Sequence, residues 1–212
     1  MNFIEFISNY LAKKLATKVP NDKYPTVEDQ IEVYTYGFMV IVGALIKGLI
    51  MVSLASIFGV LMTSMIITLT FSSFRIIGGG FHFSDYTKCI TFSTLQFIVS
   101  ALIVKHTLQY WSYMDMQILF IFCLAMGLYI ILKYVPRDTP NKPITEDSEK
   151  SKFRKWSLYY LISWAMIMTI FLLFNLNIII IASCFGLLLE LFSISNVGYG
   201  LYSLLDEQSI HR

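Results

Sequence analysis

The sequence predicts an all-α polytopic membrane protein, with about six transmembrane helices following an amphipathic interfacial helix at the N-terminus. Three observations predict it. The 212 residues are 56% hydrophobic and only 14% charged, where soluble domains carry about 25% charged residues. The apolar residues are gathered into runs of roughly 20 or more, enough to cross a bilayer. The prolines (Pro20, Pro25, Pro136, Pro140 and Pro143) all fall outside those runs, in the polar segments that separate them. The chain reads as a single integral membrane domain over residues 1–212.

Residues 1–19 set Phe3, Ile7, Tyr10, Leu11 and Leu15 at helical spacing beside Lys13, Lys14 and Lys18, the pattern of a helix lying in the membrane interface. No basic stretch precedes a continuous apolar core, so this segment is not read as a signal peptide. A polar linker containing Pro20 and Pro25 leads to Glu32. The apolar run from Val33 to Phe74 is about twice the length of one span, and divides near Ser56–Gly59 into two helices. Lys47 interrupts the first, either snorkelling or touching a neighbouring helix, or lining a pathway. A third span covers Lys88–Val104. The connection from Lys105 to Asp115 carries Tyr110, Trp111 and Tyr113, residues suited to the membrane–water interface. The fourth span is Met116–Leu132. Residues 136–155 form a proline-containing charged loop. Two last helices, Trp156–Phe174 and Ile178–Ile194, join near Asn175–Asn177, and a polar tail ends at Arg212. The inverted or parallel repeats that mark many transporters are not visible.

Six spans put the N-terminus, the turn from Arg75 to Lys88, the 136–155 loop and the tail on one side. That side holds nearly all the lysines and arginines; the other has Lys105. By the positive-inside rule both termini and the Arg75–Lys88 turn are expected to be cytoplasmic. Three cysteines suggest no disulfide framework. Cys123 and Cys184 lie inside apolar runs and read as packing residues; Cys89 sits beside the polar turn, where a reducing cytoplasm would keep it a thiol.

The turn itself concentrates the chemistry. Arg75, Gly78, Gly79, Gly80, His82, Asp85 and Cys89 stand between two long apolar segments. A cysteine nucleophile needs a base and a group to stabilise the oxyanion. His82 has a side chain that titrates near neutral pH, and Cys89 is the candidate nucleophile. Seven residues of ideal helix rise about 10.5 Å, beyond hydrogen-bond reach, so an active pair requires a break in the helix between them. The three glycines can end the second span and turn the chain. Cys89 would then lie near a helix N-terminus, which lowers thiol pKa values and supplies N–H donors. Asp85 fits two roles, capping that helix or orienting His82. Arg75 either binds a substrate carboxylate through its planar fork or anchors the topology. By themselves, His82 and Cys89 suit a structural or metal-binding reading almost as well, although the ligands are too few for a closed zinc site.

The arrangement Arg75-x4-Gly80-Phe81-His82-x6-Cys89 resembles the AgrB family, the accessory gene regulator proteins that process quorum-sensing propeptides in Gram-positive bacteria. The segment Pro136-Arg-Asp138-Thr-Pro-Asn-Lys-Pro143-Ile is similar to the family's loop after the fourth span, and the length and six-span plan agree. The resemblance implies a membrane cysteine endopeptidase, generally dimeric, with Cys89 as nucleophile and His82 as its partner. It places Arg75 and Gly80 at positions needed for activity. It implies an AgrD-type substrate, with an amphipathic leader, a signal segment with an internal Cys or Ser, and an acidic C-terminal tail. It supplies no third catalytic group, which leaves Asp85 as a reading from the residues alone.

On this reading the tail is removed through an acyl-enzyme thioester and the signal segment cyclises. Basic residues Lys150, Lys152, Arg154 and Lys155 either attract the acidic tail or serve orientation only. Membrane lipid and a second copy are expected partners; no nucleic acid, cofactor or metal is expected. Glu190, inside the sixth span, is costly there and pairs with Lys47 or sits at the cytoplasmic rim. The competing reading is a peptide transporter or exporter with Lys47 and Glu190 in its pathway.

Overall fold

In the computed structural model, which describes residues 3–18, 24, 26–81, 83, 85–137 and 146–207, the apolar runs are α-helices. They are α1 Phe3–Lys18, α2 Val27–Ile57, α3 Leu61–Gly78, α4 Tyr86–Thr107, α5 Tyr113–Tyr134, α6 Asp147–Leu173, α7 Asn177–Ile194 and α8 Asn196–Glu207. Six of them, α2 to α7, are long and apolar enough to cross a membrane. The chain is an all-α, multi-pass membrane protein.

By contact the chain divides into two compact units, Met1–Leu54 and Ala55–Arg212. In the first, Thr26 opens α2 by accepting the Asp29 N–H and donating its hydroxyl to the Asp29 carboxylate. On α1 the apolar side chains Tyr10 and Leu15 stay exposed, while Ser8, Ala12 and Ala16 are buried. The helix is therefore covered by protein along its small-residue face, where backbones can approach closely. Its larger apolar groups are left open, as on an interfacial helix.

The second unit is built around α7, which packs on α3, α4, α5, α6 and α8, most extensively on α3. Small residues make that central position physically available. A Cβ at Gly186 would come within 2.5 Å of the Ile67 carbonyl oxygen on α3. Polar groups inside the bundle pair across helices. Thr70 Oγ1 and Ser183 Oγ lie 3.1 Å apart, and Trp164 Nε1 donates to Ser183 Oγ at 2.8 Å. Cys123 and Cys184 are buried free thiols, with Cys123 Sγ 3.9 Å from the Cys184 carbonyl; both pack in the core, as expected from their apolar surroundings.

The connections segregate to two ends. At one, Lys105 Nζ donates to the carbonyls of Phe58 and Gly59 in the turn after α2, and Ser112 and Asp115 form a capping box that starts α5. At the other, the segment after α3 meets Arg137 through Gly79 and α8 through Phe81. The ends of α3, α4 and α5 thus alternate, as successive spans require.

Two sequence expectations are corrected. The charged loop 136–155 is shorter: from Asp147 onward it is the first turns of α6, with Asp147 and Glu149 at the N-terminus, where acidic groups favour the helix dipole. Hydropathy marks where a helix enters apolar surroundings, not where it begins. The tail after Ile194 is not simply polar. Residues 196–207 form α8, with Val197, Leu201, Leu204 and Leu205 exposed on one side and Tyr202 buried on the other. Two glycines and flanking acidic residues obscure that periodicity in the sequence.

Candidate active site

Arg75 lies in the last turn of α3, and the chain leaves the helix through Gly79 (φ 78°) and Gly80 (φ 138°). Both backbone conformations belong to glycine. Space requires glycine as well. A Cβ at residue 79 would fall 2.1 Å from the Arg137 carbonyl oxygen, and one at residue 80 would fall 2.8 Å from Ser193 Oγ and 2.9 Å from Arg75 Nη1. The close approach at Gly79 is a β-bridge: Arg137 N donates to the Gly78 carbonyl at 3.0 Å and Gly80 N to the Arg137 carbonyl at 3.3 Å. The glycine turn and the start of the 136–155 segment, distant in sequence, are thus joined by backbone pairing. Arg137 extends the joint to α8, with its guanidinium 4.2 Å above the Tyr199 ring and Nη1 donating to Asn196 Oδ1 at 2.8 Å.

Beneath the turn, Arg75 Nη1 donates to Glu190 Oε2 at 3.1 Å and to Ser193 Oγ at 3.3 Å, while Nη2 donates to the Phe81 carbonyl. Ser193 Oγ in turn donates to Glu190 Oε2. Glu190 is fully buried. Glu190 is therefore paired with Arg75 in the last turn of α3, a pairing that the sequence reading did not consider. A buried carboxylate is tolerable when paired and hydrogen-bonded. The guanidinium suits this place because one planar group serves the carboxylate, a hydroxyl and a backbone carbonyl at once. Arg75 and Gly80 thus meet in one cluster with Glu190 and Ser193.

α4 begins at Tyr86. Asp85 is its extended N-cap, with Oδ1 accepting the Thr87 N–H at 2.7 Å and its carbonyl accepting the Cys89 N–H at 3.1 Å. These hydrogen bonds show the capping role of Asp85; its other role, orienting His82, involves a residue outside the described ones. Cys89 is half-buried in the first turn, where the helix N-terminus places partial positive charge. His82 lies outside the described residues, as does Ser84. Its neighbours Phe81 and Phe83 are described, and neither is helical. Phe81, Phe83 and Asp85 are not helical and α4 starts at Tyr86, so no continuous helix runs from position 81 through Cys89, the arrangement that the seven-residue spacing requires.

An aromatic cluster surrounds this segment. Phe81 meets Phe83 (5.1 Å between centroids), Tyr199 (5.1 Å) and Tyr202 (5.8 Å). Phe92 meets both Phe83 and Tyr202. Burial pushes the Tyr202 phenol above its ordinary range, and Gln96 Nε2 donates to its oxygen at 3.4 Å. The basic residues of the 136–155 segment diverge: Arg154 Nε donates to the Val135 carbonyl and Lys150 pairs with Asp147, whereas Lys152 and Lys155 are exposed.

Sequence reasoning named Arg75, Gly80, Asp85 and Cys89, and the structure brings Arg75 and Gly80 into contact and sets Asp85 at the foot of the Cys89 helix. It missed Ser193, Tyr199, Tyr202 and Asp206. The signal for Ser193 was an intramembrane carboxylate three residues before it; for the others it was the periodicity of α8.

Comparison with known proteins agrees with the motif. The family model for accessory gene regulator B matches residues 4–194. A Clostridium perfringens (strain 13 / Type A) protein named as AgrB-like protein 2 is 24% identical over 213 residues, covering 96% of both chains. Another AgrB-like protein, from Clostridium perfringens (strain SM101 / Type A), is 25% identical over 179 residues, 82% of this chain and 80% of the relative. No solved structure matches the chain.

Proposed function

The chain belongs to the accessory gene regulator B family, which acts in accessory gene regulator quorum sensing, and from that premise we propose that it is a membrane cysteine endopeptidase acting on an AgrD-type propeptide. Cys89 passes its proton to His82, and its sulfur attacks the carbonyl carbon at the end of the signal segment. The C–N bond breaks, the acidic tail departs as an amine carrying the proton held by His82, and the signal segment remains on Cys89 as a thioester. A thiol or hydroxyl within the signal segment then attacks the same carbonyl. Its proton returns through His82 to the Cys89 sulfur, and a thiolactone or lactone is released.

The observation that carries this reading is the start of α4 at Tyr86. Cys89 stands on a first helical turn, and Phe81, Phe83 and Asp85 are not helical, so the pair is not held at the separation of about 10.5 Å that seven residues of continuous helix impose. Aromatic cover from Phe81, Phe83 and Tyr202 supports the exclusion of water, which would otherwise hydrolyse the thioester. The active site and both termini face the cytoplasm in this proposal, on the strength of the lysine and arginine asymmetry. The whole chain works as one membrane domain, paired with a second copy. Lipid holds α1 and the substrate's amphipathic leader at one surface, which raises the effective concentration of substrate. The intramembrane carboxylate invoked for an exporter is engaged by Arg75 and Ser193.

The test is co-expression with a candidate propeptide, comparing wild type with Cys89→Ala, Cys89→Ser and His82→Ala. Tail removal is expected to stop in Cys89→Ala, and wild type should yield a hydroxylamine-sensitive adduct at Cys89. Unchanged cleavage in Cys89→Ala would end the proposal.

A further inference from the structure

α8 grips both halves of the candidate active site. Tyr202, 5% exposed, packs against Phe81 at 5.8 Å and Phe83 at 6.0 Å, the residues on either side of His82, and against Phe92 at 5.1 Å. One turn further on, the Asp206 carboxylate and carbonyl both accept from Lys88 Nζ at 3.2 Å, and Lys88 is the residue before Cys89. The chain neighbours of position 82 and of Cys89 are therefore held by a single helix. α8 also lies beyond the stretch matched by the family model, which ends at residue 194.

We propose that α8 is the positioning element of the reaction centre, with Tyr202 and Asp206 setting the separation between the His82 loop and Cys89. The inference rests on the reading of His82 as base and Cys89 as nucleophile. A base must come within about 3 Å of the proton it takes, or within one water of it. Phe81 and Phe83 lie outside the helical hydrogen-bond ladder, so the position of their segment is decided largely by what their side chains pack against. The Arg75 bond to the Phe81 carbonyl fixes one point; Tyr202 supplies contacts on both sides of position 82. Neither Tyr202 nor Asp206 is assigned contact with substrate. Both act through the groups they hold.

The experiment uses the full chain in membranes and iodoacetamide as the probe, with alkylation mapped at Cys89 as a function of pH. The variants are His82→Ala, Tyr202→Ala, Tyr202→Leu, Tyr202→Phe and Asp206→Asn, with Leu204→Ala, on the exposed side of α8, as control. Thermal unfolding of each is measured alongside. His82→Ala is expected to slow alkylation near neutral pH and shift its profile. Tyr202→Ala should shift the profile the same way, with a rate loss of roughly tenfold to a hundredfold, the scale of a small misplacement. Tyr202→Leu, which keeps apolar volume but removes the ring contacts with Phe81, Phe83 and Phe92, should shift the profile in the same direction and carries the test if Tyr202→Ala does not accumulate. Tyr202→Phe should recover most of the rate. Asp206→Asn should lose about two- to fivefold, as for a partly exposed ion pair. Leu204→Ala should follow wild type. Folded Tyr202→Leu and Asp206→Asn proteins with wild-type profiles would overturn the positioning role while His82→Ala still shifted. An unshifted His82→Ala profile would instead remove the base assignment, and this inference with it.

Discussion

Arg75 and Glu190 meet at 3.1 Å where α3 and α7 approach the same end of the bundle, and the carboxylate partner is entirely buried. The same guanidinium also holds the Phe81 carbonyl, next to His82. One side chain thus joins the packing of two helices to the geometry of the loop. Removing Arg75 should cost about 3–5 kcal/mol, since the fully buried Glu190 is left without its cation; removing Glu190 should cost less, because Arg75 is 20% exposed and keeps its bonds to Ser193 and the Phe81 carbonyl. Arg75→Ala is expected to unfold at markedly lower temperature than wild type, and Glu190→Ala at a temperature between the two. The double replacement Arg75→Met with Glu190→Leu should recover stability without restoring propeptide cleavage, because no donor then holds Phe81. Recovery of cleavage in the double variant would mean that the pair serves folding alone.

Gly79 and Gly80 are expected to tolerate no side chain. Alanine at either residue meets strained backbone, at a cost on the order of 1–3 kcal/mol, and in addition meets the Arg137 carbonyl or the Arg75–Ser193 cluster. Gly37 and Gly48 have open space around them, so Gly37→Ala and Gly48→Ala are the comparison. Thermal unfolding should separate the two pairs of variants.

Asp85 separates capping from catalysis by a conservative change. Asparagine is as good an N-cap as aspartate, and alanine costs about 1 kcal/mol. Asp85→Asn should therefore keep both stability and cleavage, whereas Asp85→Ala loses stability. A large loss of cleavage in a stable Asp85→Asn protein would show that its charge orients His82.

The proposed orientation is open to thiol labelling in whole cells. A membrane-impermeant maleimide should reach Cys89 only after permeabilisation. A cysteine introduced by Gln109→Cys, at an exposed position in the connection before α5, should be labelled in intact cells. The reverse pattern would place the glycine turn outside.

The first and second spans, their turn at Gly59, the core placement of Cys123 and Cys184, and the break before Cys89 were all legible from periodicity, hydropathy and glycine. Each is a property of neighbours in the chain. Lys88 as the start of a span lay within two residues of Tyr86 because Asp85 is a strong local cap. The start of α6 was legible only to within nine residues, from Trp156 back to Asp147, because a helix continues into charged sequence without any change in hydropathy to mark it.

The rest required distance in three dimensions. Nothing in local sequence connects Gly79 to Arg137, Arg75 to Glu190, or Lys88 to Asp206. Gly79 meets Arg137 because α5 ends where α3 stops, and the other two pairs form because α7, in the middle of the bundle, returns the chain to that same end. The residue types needed for the reaction, His82 and Cys89, could be recognised along the chain, because chemistry constrains identity. The partners of Arg75 and the role of α8 could not, because packing constrains only size, polarity and period, and many residues meet those terms until the helices are assembled.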